Sequence, residues 1–119
     1  MTIIRRRALS CVLMLPVLTA ALKAQAQEEA AVRTVVEALA ASVATKDVAA
    51  LDTLHAHDPW VRVIEGAGIN RGWVDYRDHH LKPELAEFEN LRYRYYDVEP
   101  QVRGNVAWAV FRYELSVDT

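Results

Sequence analysis

Three stretches of the sequence carry apolar residues at the three- and four-residue spacing of an amphipathic helix. The first spans residues 28–45, and its apolar positions are Val32, Val35, Val36, Leu39 and Val43. Asp47 is placed to cap a second, shorter helix, whose shared face consists of Val48, Leu51, Leu54 and His55. The third opens at Asn70 or Arg71 and reaches Pro83, which we expect to kink or end it, because proline disfavours helical geometry in the residue before it.

Two-residue alternation predicts the strands. Residues 60–65 form a short strand after Asp58-Pro59, and residues 66–68 form a loop behind it. Residues 88–98 place Leu91, Tyr93 and Tyr95 on one side and Arg92, Arg94 and Tyr96 on the other. After a turn at Gly104-Asn105, residues 106–117 return as the antiparallel partner, with the apolar row Ala107, Ala109, Phe111, Tyr113, Leu115 and Val117. The element order α-α-β-α-β-β indicates an α+β fold.

The first 26 residues have the pattern of an export signal. A basic start at residues 5–7 precedes an apolar run over residues 8–22, and the small-x-small sequence Ala24-Gln25-Ala26 follows. An uncleaved anchor is the alternative, but the apolar run is short for a membrane span. We therefore predict a signal peptide over residues 1–26, one domain over residues 27–119, and a periplasmic or secreted location.

Removal of that segment changes the charge of the chain. Four of the 14 basic residues lie within it, so 10 basic and 16 acidic residues remain, a net charge near −6. No basic patch is left that would bind nucleic acid or an anionic membrane surface. Cys11, the single cysteine, also lies in the segment, so the mature domain is predicted to have neither a disulfide nor a thiol nucleophile.

The face of the third helix carries the candidate chemistry. Trp73, Tyr76, His80 and Glu84 fall within one narrow arc of the helix. Two aromatic rings, an imidazole and a carboxylate on one surface are typical of a pocket lining, to which Trp60 would add a further ring. His80 is the candidate general base, and Tyr76, one turn earlier, the candidate hydrogen-bond donor. The alternative is that His80 is a core histidine bonded to a neighbour.

Five segments of the sequence occur in the order in which similar segments occur in a known superfamily. They are residues 32–43, Lys46-Asp-Val-Ala-Ala-Leu51, Trp60-Val-Arg-Val-Ile-Glu65, Gly72-Trp-Val-Asp-Tyr-Arg-Asp-His-His-Leu81 and Asn105-Val-Ala-Trp-Ala-Val-Phe-Arg-Tyr113. Together they resemble the nuclear transport factor 2-like superfamily, also called SnoaL-like or ketosteroid-isomerase-like, and in particular its exported bacterial members of unassigned function. The resemblance implies a curved antiparallel sheet that forms a cone around the helices and encloses a pocket. It does not imply a reaction, because this fold hosts both enzymes and non-catalytic association modules.

The sequence departs from that family at its end. Members continue with two further strands, whereas this sequence stops at Asp118-Thr119. We therefore expect that the C-terminal strands are missing and that the domain over residues 27–119 is incomplete. Either the sequence is a truncated form of a longer gene product, the alternative we favour, or a second copy supplies the missing wall as a homodimer through the sheet.

Two further sets of residues bear on the chemistry. Isomerases of the superfamily carry a catalytic aspartate on the early strand, where Val63 aligns and Glu65 follows on the same face, so Glu65 is a candidate supporting carboxylate. Its alternative is a solvated strand end, and the acidic oxyanion donors of those isomerases have no assignable counterpart, which disfavours steroid isomerase activity. The pairs His55/His57 and His79/His80 have spacings that do not suit one metal ion. We expect no metal and no cofactor.

Three functions remain open at this point. The first is an exported small domain whose hydrophobic cavity binds a small apolar or aromatic molecule. The second is an acid–base enzyme of the isomerase, dehydratase or cyclase type, with His80 as base, Tyr76 as donor and Glu65 in support. It requires His80 and Glu65 to converge on one point. The third is a non-catalytic association domain that pairs through an apolar sheet face around Trp108 and Val110.

Overall fold

The computed structural model describes residues 14–118, so the predicted basic start at residues 5–7 and Cys11 lie outside the described residues. The helices are α1 (Met14–Ala44), α2 (Val48–Leu54), α3 (Trp73–Tyr76) and α4 (Lys82–Glu87), with a π-helical turn, Arg77–Leu81, joining the last two. The strands are β1 (Arg62–Glu65), β2 (Gly68–Arg71), β3 (Glu89–Arg103) and β4 (Val106–Asp118). This mixture of helices and antiparallel pairs confirms the predicted α+β class.

Helix α1 is longer than the predicted first helix, because alanine, leucine and glutamine, which are good helix formers, continue upstream of residue 28. Residues 18–28 are exposed, whereas Val36 and Ala40 are buried against the rest of the fold. Val35 is 52% exposed, contrary to its predicted place in the core, since it lies 100° around the helix from Val36. No helix in the described part of the chain is long and apolar enough to cross a membrane.

Helix α2 begins as predicted. The Asp47 side chain accepts a hydrogen bond from the backbone N–H of Ala50 over 2.9 Å, which satisfies one of the unpaired donors at a helix start. Leu51, only 1% exposed, turns inward from this helix. The short connection and the cap together fix the direction in which α2 leaves α1.

The segment predicted as a loop after the first strand is instead part of a hairpin. Strand β2 pairs antiparallel with β1, with Ile64 opposite Ile69 and Glu65 opposite Gly68. Gly66, at φ +56°, supplies the left-handed backbone that a two-residue turn requires. The observed order therefore contains one strand more than the predicted α-α-β-α-β-β. The hairpin matters for function because it presents Glu65 at its tip.

The third helix does not end at Pro83 but changes its hydrogen-bond register just before it. The N–H of Lys82 donates to the carbonyl of Arg77, five residues back, as in a π-helix. Pro83 has no N–H to continue the ladder, and the chain resumes α-helical geometry up to Glu87. The proline thus coincides with a change of register rather than with a break.

Strands β3 and β4 form a bent two-stranded sheet that packs along α1. The register shifts twice, near Asn90 and near Asp97, and both residues have positive φ. Such bulges bend a strand and increase its twist. Strand β3 also runs beyond the predicted end at Val98, through Pro100, which an edge strand tolerates because one of its sides is unpaired. The alternation predicted for residues 91–96 is confirmed by the burial pattern.

The core lies where the helices meet under this sheet. It consists of Leu51, Trp73, Leu81 and Leu85, against which Leu39, Val43, Val48, Tyr76, Phe88 and Leu91 pack. Trp73 is 1% exposed and is the largest of the fully buried side chains in the described chain. The same helices that build this core therefore also carry the candidate site.

Candidate functional site

A cavity of about 480 Å³ lies between the helices and the inner face of the β3–β4 sheet. Its walls are mainly apolar and aromatic, and include Leu51, Trp73, Leu85, Tyr93, Tyr95 and Phe111. Tyr113 and Leu115 of β4 also line it, although these side chains are 59% and 41% exposed. The cavity is therefore open to solvent along β4.

Four polar side chains meet at one side of this cavity; we refer to Glu65, Tyr76, His80 and Glu84 as the Glu65 cluster. The Tyr76 hydroxyl donates to Oε2 of Glu65 over 3.2 Å, and Nε2 of His80 lies 3.3 Å from the same oxygen. Nε2 of His80 is also 3.9 Å from Oε2 of Glu84. The rings of Tyr76 and His80 lie with their centroids 5.1 Å apart. Two candidate catalytic groups, Tyr76 and His80, thus converge on one oxygen of the third, Glu65.

The members of the cluster do not all face the cavity. Glu65, Tyr76 and Glu84 line it, whereas His80 is not among the lining side chains and contacts the cluster from the side. His80 remains 35% exposed at its side chain, compared with 48% for Glu65. The imidazole that was expected to face the pocket directly therefore contacts residues that line the cavity without lining it itself.

Contacts at the start of α3 hold the hairpin against the third helix. The Asp75 carboxylate accepts hydrogen bonds from the backbone N–H of Arg71 over 3.0 Å and from the side chain of Asn70 over 3.2 Å. The N–H of Gly72 donates to the carbonyl of Val61 over 2.9 Å. Because β1 and β2 are paired along their length, these bonds also position Glu65 above the first turns of the helix.

Burial and the charges of the two carboxylates set the electrostatics of the cluster. Partial burial, and secondly the charge of Glu65, raise the pKa of Glu84 above its usual value. Burial, again followed by the charge of Glu65, raises the pKa of the Tyr76 phenol far above its usual range, so this hydroxyl is a donor at all ordinary pH values. Within residues 14–118, neither Glu65 nor Glu84 forms an ion pair with a lysine or arginine. The two carboxylates share one imidazole.

Trp73 lines the cavity as predicted for a ligand-binding residue, but its polar atom is already engaged. The indole N–H donates to Oδ1 of Asp52 over 2.7 Å, and Arg77 donates to the same oxygen. His55 stacks on the indole with a centroid distance of 3.8 Å and also lines the cavity. Nδ1 of His55 lies 2.8 Å from the carbonyl of Leu51. Sequence reasoning missed His55, whose only signal was its place on the α2 face.

The proposed lining role of Trp60 is wrong. This indole is 81% exposed and is not part of the cavity wall, because Trp60 lies in the turn before β1 and not in the strand. His79 points away from the cavity as predicted, with a side chain 76% exposed and Nδ1 at 3.2 Å from Asp75. The third helix therefore contributes Trp73, Tyr76, His80 and Glu84 to the site region, as expected from its spacing.

Comparison with known proteins supports the architecture. In a search of solved structures, the chain matches the crystal structure of a putative ketosteroid isomerase from Shewanella frigidimarina NCIMB 400 with a TM-score of 0.61 and 19% sequence identity. The match covers 72% of this chain and 68% of the other. This chain has the ketosteroid isomerase-like fold.

The ketosteroid isomerase-like fold confirms the resemblance drawn from the sequence at the level of architecture. No family model matches the chain. No curated protein matches it either. A likeness of this kind shows the fold alone, so the function must be argued from the residues of the cavity.

Proposed function

We propose that this domain binds a small apolar or aromatic molecule in the cavity, with the polar end of the molecule at the Glu65 cluster. The observation that carries the proposal is a cavity of about 480 Å³ whose walls are mainly apolar and aromatic and whose polar groups gather at one side. Small-molecule sites commonly have volumes of roughly 300–1,000 Å³ and combine an apolar lining with a few convergent polar groups.

The charge of the cluster sets a preference among ligands. Glu65 and Glu84 both line the cavity, and among the described residues neither carboxylate pairs with a lysine or arginine. An anionic ligand group would face like charge there, whereas a hydroxyl can donate a hydrogen bond to a carboxylate. A neutral aromatic alcohol is therefore expected to bind more tightly than the matching carboxylate.

Thermal unfolding with 2-naphthol and with 2-naphthoate tests this binding. The two compounds share their ring system and differ in the charge of the polar group. A ligand at 100 times its Kd stabilises the folded state by about 2.7 kcal/mol, which in a small domain corresponds to a rise in Tm of roughly 10 °C or more. We expect such a rise for 2-naphthol. Equal shifts for both compounds would contradict the role of the cluster, and the absence of any shift across an apolar series would contradict cavity binding.

A pair of variants on β4 localises the site. Leu115→Trp narrows the open side of the cavity, whereas Val110→Trp places the same side chain on the opposite face of the same strand, where Val110 is 63% exposed. Only Leu115→Trp is expected to reduce the 2-naphthol shift. Equal losses in the two variants would place the ligand elsewhere.

One observation favours acid–base catalysis as a second candidate function. Tyr76 and His80 meet at one oxygen of Glu65, so a donor and two possible proton acceptors lie within hydrogen-bonding reach of a single point. Glu65 lines the cavity and His80 does not, so Glu65 is the better placed base and His80 supports it. This reverses the roles expected from the sequence.

Hydrogen–deuterium exchange at the carbon atoms next to the carbonyl of 2-tetralone, monitored by NMR, tests whether the domain is an acid–base catalyst. The ketone is apolar enough for the cavity and has acidic α-hydrogens. We expect exchange above the buffer rate, and its loss in Glu65→Gln. Binding of 2-tetralone without any acceleration of exchange would restrict the domain to ligand binding.

We also propose that the domain is exported by cleavage after Ala26 and acts in the periplasm or outside the cell. This is supported by the leader pattern and by the exposure of residues 18–28, which make no part of the core. Expression in a Gram-negative host, with fractionation and intact mass, tests it. A periplasmic product that begins at Gln27 is expected, and a cytoplasmic product that retains Met1 would contradict it.

Association through the sheet is the remaining candidate. Val106, Trp108 and Val110 lie on β4 and are 57%, 47% and 63% exposed. Apolar side chains grouped on one sheet face are a common feature of subunit interfaces. The proposal is that a second copy covers this face, on the opposite side of the sheet from the cavity.

A further inference from the structure

The side chains of Glu65, His80 and Glu84 lie close together in a way that the binding of an organic ligand does not require. One donor atom each from Glu65, His80 and Glu84 lies within 4.8 Å of the others. Nε2 of His80 is 3.3 Å from the Glu65 oxygen and 3.9 Å from the Glu84 oxygen. The hairpin supplies one of these groups and the third helix the other two. Two separate elements thus bring three possible ligand atoms close together.

We propose that Glu65, His80 and Glu84 bind a divalent transition-metal ion of the Zn²⁺ class. The inference goes beyond the proposed binding of an organic molecule and does not depend on it. Zinc ligands lie about 2.0–2.2 Å from the ion, so neighbouring ligand atoms in a tetrahedron are roughly 3.3–3.6 Å apart. The His80–Glu65 distance of 3.3 Å already has this value, whereas Glu84, at 3.9 Å from His80, would have to move closer when the ion binds.

The charge balance of the cluster favours a cation. Carboxylate oxygens of Glu65 and Glu84 lie within 4.8 Å of each other, so their negative charges repel each other. Arginine and lysine neutralise the other closely packed acidic groups of the helical layer: Arg77 binds Asp52 and Asp78, and Lys82 binds Asp78. In the described chain no such partner reaches Glu65 or Glu84. A divalent ion would supply the missing positive charge.

The surroundings also suit a metal site. Tyr76 donates its hydroxyl hydrogen to the same Glu65 oxygen, the type of outer hydrogen bond that orients a ligating carboxylate. Because Glu65 and Glu84 line the cavity, a fourth coordination position would face the cavity. Three protein ligands with one open position are typical of zinc sites that bind a further molecule. The imidazole favours zinc and its neighbours over magnesium or calcium, which prefer oxygen ligands.

Titration of the purified chain, prepared without a histidine tag, with Zn²⁺ and with Co²⁺ tests the proposal. We expect one Zn²⁺ per chain by calorimetry and the visible absorption of tetrahedral Co²⁺. Substitution of an outer partner commonly weakens a metal site by about 10–100-fold, which is the loss expected for Tyr76→Phe. Loss of a ligand in His80→Ala or Glu84→Gln is expected to abolish the calorimetric signal and the Co²⁺ absorption.

A neighbouring pair provides the matched control. His79 and Asp75 also form an imidazole–carboxylate contact, at 3.2 Å, but lie on the exposed side of the same helix. His79→Ala is expected to bind Zn²⁺ as the unaltered chain does, and circular dichroism checks the fold of every variant. Weak binding that His79→Ala abolishes, or binding that survives both His80→Ala and Glu84→Gln, would overturn the proposal. Failure to bind Zn²⁺ or Co²⁺ would overturn it as well, without bearing on the 2-naphthol experiment, which contains no metal.

Discussion

The hydroxyl of Tyr76 donates to the carboxylate of Glu65 across the gap between a helix and a hairpin tip. The two residues are 11 positions apart in sequence, and the bond of 3.2 Å is one of the polar contacts between these elements on the cavity side. The hydrogen-bonded carboxylate lines an apolar cavity while its side chain remains 48% exposed. The candidate chemistry of the domain depends on this juxtaposition.

Replacement of Tyr76 by phenylalanine tests whether that bond is functional or structural. The phenylalanine ring can keep the contacts with Trp73 and His80, whose centroids lie 6.0 Å and 5.1 Å away. A single hydrogen bond of this kind contributes about 1 kcal/mol, so only a small fall in the free energy of unfolding is expected. Urea unfolding measures it. A loss of several kcal/mol would show that the hydroxyl holds the fold together.

Trp73 is almost fully buried and Trp60 is mostly exposed, so substitutions of these two residues compare the core with the surface. Trp73→Ala leaves a large gap beside Leu51 and removes one of the donors to Asp52, so the free energy of unfolding should fall by about 3–5 kcal/mol. Trp60→Ala, at a side chain 81% exposed, should change it by roughly 0.5 kcal/mol or less. Chemical denaturation of both variants provides the comparison. Similar losses would contradict the placement of Trp60 outside the core.

Acid should weaken the fold partly through Asp52. The hydrogen bond from Trp73 and then that from Arg77 lower the pKa of this carboxyl below its ordinary 3.8, and His57 lies 3.6 Å away as a further positive group when protonated. A group with a lowered folded-state pKa stabilises the fold above its ordinary pKa, and that contribution is lost as pH falls through the lowered value. Tm should therefore decline below about pH 4.

The variant Asp52→Asn isolates this contribution. It should flatten the decline of Tm in acid, although only in part, because the Arg77 and Lys82 contacts lower the pKa of Asp78 as well. Asp97→Asn is the control, since the nearest cation, Arg112, lies 3.9 Å away at the surface. An unchanged acid profile in Asp52→Asn would show that the Asp52 contacts contribute no pH dependence.

Trp108 tests association through the outer sheet face. If a second copy covers this face, light scattering should report a dimer, and Trp108→Ala should convert it to a monomer. Tyr113 on the same strand lines the cavity instead, so Tyr113→Ala should leave the mass unchanged. A monomer at all concentrations, or a dimer that Trp108→Ala does not affect, would remove this interface.

Local patterns predicted much of the architecture. The Asp47 cap, the alternation of residues 91–96 and the cavity-lining face of Trp73, Tyr76 and Glu84 each depend on neighbours a few residues apart, which periodicity describes directly. The α+β class follows from them. These signals were sufficient to place the candidate site on the third helix.

The remaining features of the fold and the site depend on contacts between separate elements, which periodicity does not describe. Two glycines in residues 66–68 indicate a loop, although a glycine is also what a tight hairpin turn needs, so β2 was missed. The approach of Glu84 to Glu65 and the stacking of His55 on Trp73 join separate elements. Trp60 is absent from the cavity wall because β1 begins only at Arg62, and local periodicity does not determine where this strand begins.

The π-helical turn before Pro83 has a consequence for how sequences with this cluster can vary. A π turn is equivalent to one extra residue inserted into an α-helix. Removal of a single residue between Arg77 and Leu81 would restore the ordinary ladder and leave the rotation of Glu84 relative to Tyr76 nearly unchanged, because the wider turn takes up the extra residue. His80 lies within the turn, so its direction would depend on which residue is removed. In related sequences, this segment can therefore lose one residue without separating Tyr76 from Glu84.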